Sequence, residues 1–196
     1  GFGDEISGSI GFVDAGGQVA AKHAVTAKYL AQAVERSGAA AEAAGVGFHD
    51  FMGMVTAIGE VTRKSGKEVG TSTKFMFKQF TAPKTQKVLG DIGIKSLTGE
   101  GDLRPSMDVI KDVAGRWEDL SRSQQLAIAQ AVAGTRHYND FIVLMKNFDT
   151  ALMASANSQN SQGFAMRKNS IAMETFSKQM EVLKQTVNGL AISIGK

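Results

Sequence analysis

The sequence contains no cysteine, so the chain can form neither a disulfide bond nor a thiolate zinc site, and it offers no cysteine nucleophile. Proline is also scarce, with two residues in 196, and abundant alanine, methionine and glutamine favour helices in its place. Long apolar runs are missing as well. The strongest run, 141–145, is far shorter than the roughly 20 residues that a membrane-spanning helix needs. These absences exclude thiol chemistry and predict an all-α fold.

Residues that could carry catalytic or metal-binding chemistry are few and scattered. The histidines His23, His49 and His137 lie far apart, and none has a second ligand at the spacing that metal sites use. His49-Asp50 is a single dipeptide at a predicted helix start, where aspartate is a favoured capping residue. The stretch SGKEVGTSTK, residues 65–74, lacks the glycine and lysine spacing of a phosphate-binding loop. The sequence therefore predicts no catalytic, cofactor-binding or metal site.

The stretch around Gly134 admits two interpretations. As an enzyme site, it would need a pocket in which Arg136 and His137 converge with an acid such as Asp140. As a packing corner, it would make Gly134 the junction of two helices. We favour the packing corner because Arg136 and His137 lack a third partner in the sequence. Apolar residues on both sides of the glycine would then turn inward, namely Ile128, Val132, Phe141, Leu144 and Met145.

The net charge of +3 hides an uneven distribution. Residues 61–95 carry eight basic and two acidic side chains, whereas residues 1–60 carry three and seven, and residues 96–120 carry three and six. A solvated basic face, or pairing between oppositely charged neighbouring blocks, explains this pattern. A nucleic-acid patch is the alternative, but the block lacks interleaved aromatic residues of the stacking kind. We therefore expect no specific nucleic-acid partner.

Hydrophobic periodicity predicts a succession of helices with glycine-containing breaks. The glycine-rich residues 1–17 show little periodicity and are predicted to form a flexible lead-in. A helix is expected over residues 18–36, ended by Ser37-Gly38, and another over 48–61, ended by Ser65-Gly66. Further expected elements are helices over 69–80 and 83–90, a hairpin-like loop near 93–105, a helix over 107–117, and a helix opened by a capping box at Ser121–Gln124.

The end of the sequence carries the clearest periodicity. Nine positions recur at alternating spacings of three and four residues, which is a heptad stripe typical of coiled coils. The stripe predicts a long amphipathic helix over residues 161–196 with one self-association or packing face. Asn169 is its single polar member, and we predict that it sets helix register or copy number. The stripe consists of Met166, Asn169, Met173, Phe176, Met180, Leu183, Val187, Leu190 and Ile194.

Four features in order give the chain a family resemblance. A glycine-punctuated helix pair around FMGMVTAIGEVTRKSGKEVGTSTKFMFKQF is followed by VLGDIGI, then by a GDLRP turn, then by AVAGTR before an aromatic helix. From about residue 20 onward this succession resembles the core region of bacteriophage tail tape measure proteins. The residues that carry the resemblance after the helix pair are Val88, Leu89, Ile92, Gly93 and Ile94, then Gly101, Leu103, Arg104 and Pro105, then Ala131, Ala133, Gly134, Arg136 and Phe141.

The resemblance implies a structural protein of a phage tail and no enzyme. It implies a tape measure core over residues 18–160 and a chain that is one segment of a longer protein. Such a protein fills the lumen of the tail tube, sets tail length during assembly in the host cytoplasm, and leaves ahead of the DNA during genome ejection. The implied partners are further copies of the chain (a homo-oligomer such as a trimer), the tail tube, the tail-tip hub and a tail assembly chaperone.

A second function remains open from the sequence alone. The helices rich in methionine and alanine are also compatible with a membrane-active protein that aids DNA passage through the host envelope, and this would bring a later contact with the host membrane.

Overall fold

The computed structural model describes residues 8–171 of the chain. These residues are all-α, as the composition predicts, and contain no strand. The hairpin-like loop predicted near 93–105 is present and holds one isolated antiparallel bridge, between Leu97 and Leu103. In chain order the elements are α1 (Gly8–Lys22), α2 (Ala27–Ala43), α3 (Phe48–Thr62), α4 (Gly66–Phe80), α5 (Pro83–Gly90), α6 (Ser106–Arg116), the 3-10 turn η1 (Trp117–Asp119), α7 (Arg122–Lys146) and α8 (Phe148–Gln159).

Helix α3 is the centre of the core. Every residue from Phe51 to Gly59 is buried, so the helix is apolar on almost its whole circumference, which is typical of a helix enclosed by others. It packs most extensively against α8 and also contacts α2 and α7, while α2 packs along α4. Gly53 allows the close approach of α3 and α8, because a β-carbon at this position would overlap the carbonyl oxygen of Ala151.

The prediction of a loop over residues 1–17 is wrong for the part that the structure describes. Residues 8–17 form more than half of α1. Ala15 and Val19 are fully buried, and the helix packs against α8. Tertiary packing therefore overrides the poor helix propensity of glycine at these positions.

The predicted helix over residues 18–36 is also wrong at both ends. The chain breaks between α1 and α2, where the Thr26 hydroxyl accepts a hydrogen bond from the Tyr29 N–H at 3.1 Å and caps α2. Ser37 and Gly38 do not end α2 because both are buried against its neighbours. The Ser37 hydroxyl contacts the Ala33 carbonyl at 3.1 Å and the Thr73 hydroxyl of α4 at 3.0 Å, so its polar group is satisfied inside the helix.

Capping boxes open two of the helices. The Ser121–Gln124 capping box opens α7 as predicted. A second box opens α4 at Ser65-Gly66, where the sequence predicts only the end of the preceding helix. The Ser65 hydroxyl accepts from the Glu68 N–H at 3.3 Å, and the Glu68 carboxylate accepts from the Ser65 N–H at 2.9 Å. Hydrogen bonds from Ser65, with its hydroxyl contributing most, lower the pKa of Glu68.

The first compact unit of the chain ends at Gln162, and the second begins at Gly163. In the second unit the structure describes residues 163–171, of which 164–171 are helical. Most of the amphipathic helix predicted over 161–196 therefore lies outside the described residues. Among the helices within residues 8–171, none combines the length and apolar character required to span a bilayer.

Candidate functional site

The corner at Gly134 has the geometry that the sequence predicts. Gly134 interrupts α7 with φ 64° and ψ 179°, a conformation that is essentially restricted to glycine. The interruption separates two helical halves, residues 122–133 and 135–146. It also changes the hydrogen bonding of the first half, where the Ala131 carbonyl accepts from the buried Thr85 hydroxyl of α5 at 3.0 Å. Thr85 thus supplies a donor at the point where the regular helix ends.

The apolar residues on both sides of the corner turn inward, as predicted. Ile128 and Val132 before Gly134, and Phe141, Leu144 and Met145 after it, are all buried. Trp117 packs edge-to-face on Phe141 with ring centroids 6.0 Å apart. The corner is therefore part of the core of the first compact unit.

The three residues of the enzymatic interpretation have different surroundings. Arg136 is exposed, and the His137 ring packs at a tilt on Phe75 with centroids 5.8 Å apart. Asp140 is 1% exposed and pairs with Lys64 of the α3–α4 connection at 2.6 Å. The carboxylate of Asp140 is thus engaged in a structural ion pair. The corner brings together packing contacts and this ion pair.

Tyr29 is a buried polar side chain that joins two helices. Its hydroxyl donates to the Val55 carbonyl of α3 at 2.6 Å. Burial, with a smaller contribution from the negative charge of Asp140, raises the pKa of Tyr29 well above its ordinary value. The hydroxyl therefore stays protonated and holds α2 against α3.

His49 and Asp50 lie in the first turn of α3 and face α8. The His49 Nδ1 atom is 2.7 Å from the Ser158 hydroxyl, and the Ser155 hydroxyl donates to Asp50 at 2.8 Å. Lys111 also lies 3.8 Å from the Asp50 carboxylate. Ser155 and Ser158 are three residues apart and share one face of α8. Sequence reasoning missed this serine pair, although its spacing was a usable signal.

His23 joins the α1–α2 break to two other helices. Its Nδ1 atom lies 3.1 Å from the Glu60 carboxylate of α3, and the Asn157 side-chain amide of α8 lies 3.0 Å from its Nε2 atom. Glu60 also accepts from the Ala24 N–H at 2.7 Å. Within residues 8–171, no group of three histidine, aspartate or glutamate residues could hold a metal ion. These polar contacts connect helices.

The predicted self-association stripe is described at two of its nine positions. Met166 and Asn169 lie in the helical residues 164–171, and both are exposed. The seven other positions, from Met173 to Ile194, lie outside the described residues. The stripe as a whole stays a prediction.

Replacing Gly134 by alanine is expected to lower the free energy of unfolding by about 1–3 kcal/mol. Alanine disfavours φ 64° with ψ 179°, and its β-carbon would also lie 3.0 Å from the Phe75 ring. Urea unfolding followed by circular dichroism measures the change. Gly90→Ala is the matched control because a β-carbon at Gly90 meets nothing within 4 Å. Equal stability of the two variants would contradict the role of the corner.

Comparison with known protein families matches residues 1–134 to the family described as phage-related minor tail protein. The match covers more than half of the chain and extends to the α7 corner at Gly134. No solved structure gives a significant match to the chain. The chain belongs to the family of phage-related minor tail proteins.

Proposed function

We propose that this chain is a segment of a tail tape measure protein, which occupies the lumen of the tail tube, sets tail length during assembly and leaves ahead of the DNA at infection. The family match over residues 1–134 is the observation that carries the proposal. Membership of that family makes the chain a phage tail protein and a component of the virion that associates with other tail proteins. Two features of the sequence support the more specific tape measure role: the four segments that resemble tape measure proteins in order, and the heptad stripe.

The proposal assigns different tasks to the two units. The first compact unit comprises residues 1–162. A compact body of that size has a radius of gyration of about 15 Å, and adding residues to one of its surface loops hardly changes its overall dimension. An extended helix instead gains about 1.5 Å with every residue. We therefore assign length determination to the heptad-patterned residues from 163 onward and attachment to the helical body before them. The body has no catalytic role in this scheme, and the stripe binds further copies of the chain.

Duplicating residues 166–193 in the phage genome is expected to lengthen the tail by about 42 Å, since this insertion adds four heptads of helix in register. Tail length measured by electron microscopy on purified virions tests the expectation. Because the tail grows by whole subunit layers, the two-fold and four-fold repeats of the insertion should also be compared, and length should rise in proportion.

Two matched insertions of the same size provide the controls. The same residues inserted in the exposed Thr98–Gly101 turn lengthen only a surface loop of the compact body, so tail length should stay at the wild-type value. A second duplication in which serine replaces the stripe residues keeps the added length but removes the apolar seam, and it should fail to extend the tail in proportion. Unchanged tail length with the intact duplication, or equal lengthening with the turn insertion, would refute length determination by the heptad stripe.

A further inference from the structure

A surface groove of about 530 Å³ lies between α2 and α4. It runs along the second half of both helices and ends at His137 of α7. Along α2 it extends from residue 36 to residue 44, and along α4 from 71 to 81, so its length is about 12–15 Å. This length corresponds to between two and three helical turns, at about 5.4 Å per turn.

Small side chains on α2 create the groove. The stretch SGAAAEAA, residues 37–44, places Ala40, Ala43 and Ala44 opposite the aromatic residues of α4. Alanine is too short to cover them, and Phe75 therefore remains 36% exposed, whereas Phe77 reaches the core. The floor of the groove is apolar, and an exposed phenylalanine beside it is a surface that a partner can bury.

The rim of the groove carries positive charge only. Arg36, Lys74 and Lys78 line it and are exposed, and no aspartate or glutamate is among its lining residues. The Arg36 Nε–H donates to the Thr71 hydroxyl at 3.0 Å, which holds the guanidinium at the rim. Among the described residues, none of these three cations forms an ion pair. Lys74 and Lys78, two of the eight cations of the basic block, are thus solvated at the rim of the groove.

We propose that this groove is a docking site for an acidic amphipathic helix of a partner protein. An amphipathic helix that lies in such a groove places apolar residues at positions i, i+3 or i+4, and i+7 on the floor. Aspartate and glutamate on its two flanks then face Arg36, Lys74 and Lys78. The apolar floor distinguishes this partner from a nucleic acid, whose phosphates bind basic surfaces without needing apolar contact. The proposal is independent of length determination by the heptad stripe.

The test uses a synthetic library of acidic amphipathic peptides of about 15 residues, long enough to form a helix. Leucine, methionine or phenylalanine occupies the apolar positions, and aspartate or glutamate the flanks. Binding to the whole chain is measured by fluorescence anisotropy, and we expect members with dissociation constants in the micromolar range. A library with the same apolar positions and lysine flanks should not bind.

Two groove variants and one matched control locate the binding. The double variant Lys74→Glu and Lys78→Glu should weaken the best peptides by about tenfold or more, because attraction at the rim becomes repulsion. Ala43→Trp should have a similar effect by filling the floor. The double variant Lys84→Glu and Lys87→Glu changes the charge equally at exposed positions of α5 outside the groove, and it should leave binding within about twofold of wild type.

Four results would overturn the proposal. The first is that no acidic peptide binds, and the second is that the α5 control weakens binding as much as the groove variants do. The third is that duplex DNA binds with the same dependence on Lys74, Lys78 and Ala43, which would make the groove a nucleic-acid site. The fourth is that the groove variants change the oligomeric state measured by light scattering, which would make it an interface between copies. None of these results bears on tail length, so they can be distinguished from a failure of the proposed length determination.

Discussion

Substituting alanine for Gly53 is expected to lower the free energy of unfolding by about 3 kcal/mol, at the upper end of the range for overpacked cores. A β-carbon there would overlap the Ala151 carbonyl oxygen and lie 3.1 Å from the Ser155 nitrogen. These are backbone atoms, so no rotamer change relieves the overlap and the two helices must separate. Separation loosens the tightly packed contact that anchors α8 on the central helix.

Urea unfolding monitored by circular dichroism gives the change in free energy, and Gly115→Ala provides the control. Gly115 lies in α6, and a β-carbon there meets nothing within 4 Å, so alanine should stabilise the helix by about 0.5–1 kcal/mol. The backbone origin of the overlap gives a second check, because truncating Ala151→Gly in the Gly53→Ala background should restore nothing. A stability of Gly53→Ala within about 1 kcal/mol of wild type would show that the contact is looser than described.

Some of this fold is predictable because its determinants are local. Three features depend only on residues within one or two turns of each other: the apolar spacing of α3 and α4, the capping box at Ser121 and the break at Gly134. The structure confirms all three. Capping hydrogen bonds and helix periodicity involve residues three or four positions apart, so they can be recognised in the sequence.

Other parts depend on contacts between residues distant in sequence. The helical state of residues 8–17 comes from packing on α8, which is more than 130 residues further along the chain. Ser37-Gly38 has the composition of a helix end, but the Thr73 hydroxyl lets the helix continue. The α2–α4 groove is harder still to predict, because it results from side chains too short to fill a space. A sequence pattern shows which side chains are small, but a groove between two helices can be identified only once the three-dimensional fold is known.

Replacing Lys64 by methionine is expected to lower the free energy of unfolding by about 3 kcal/mol. The Lys64 ammonium group lies 2.6 Å from the Asp140 carboxylate, whose second oxygen, Oδ2, is buried without a hydrogen-bond partner. Methionine keeps the length of the aliphatic stem but removes the charge, so it leaves the carboxylate buried and uncompensated. The Lys64 side chain is 37% exposed, and water entering beside it keeps the effect at the lower end of the range for buried pairs.

Asp140 is buried more completely than Lys64, so the two single variants are expected to differ in stability. Lys64 can turn towards solvent when its partner is lost, whereas Asp140 cannot, so Asp140→Asn alone should destabilise less, by about 1–2 kcal/mol. The double variant should then be more stable than Lys64→Met alone, because no charge remains buried. Lys67→Met controls for the loss of an exposed lysine nearby and should change stability by less than about 0.5 kcal/mol. If Asp140→Asn lowered the free energy of unfolding more than Lys64→Met, the carboxylate would stabilise the fold through contacts other than the one with Lys64. The corner at Gly134 would then be held to the α3–α4 connection by something other than this ion pair.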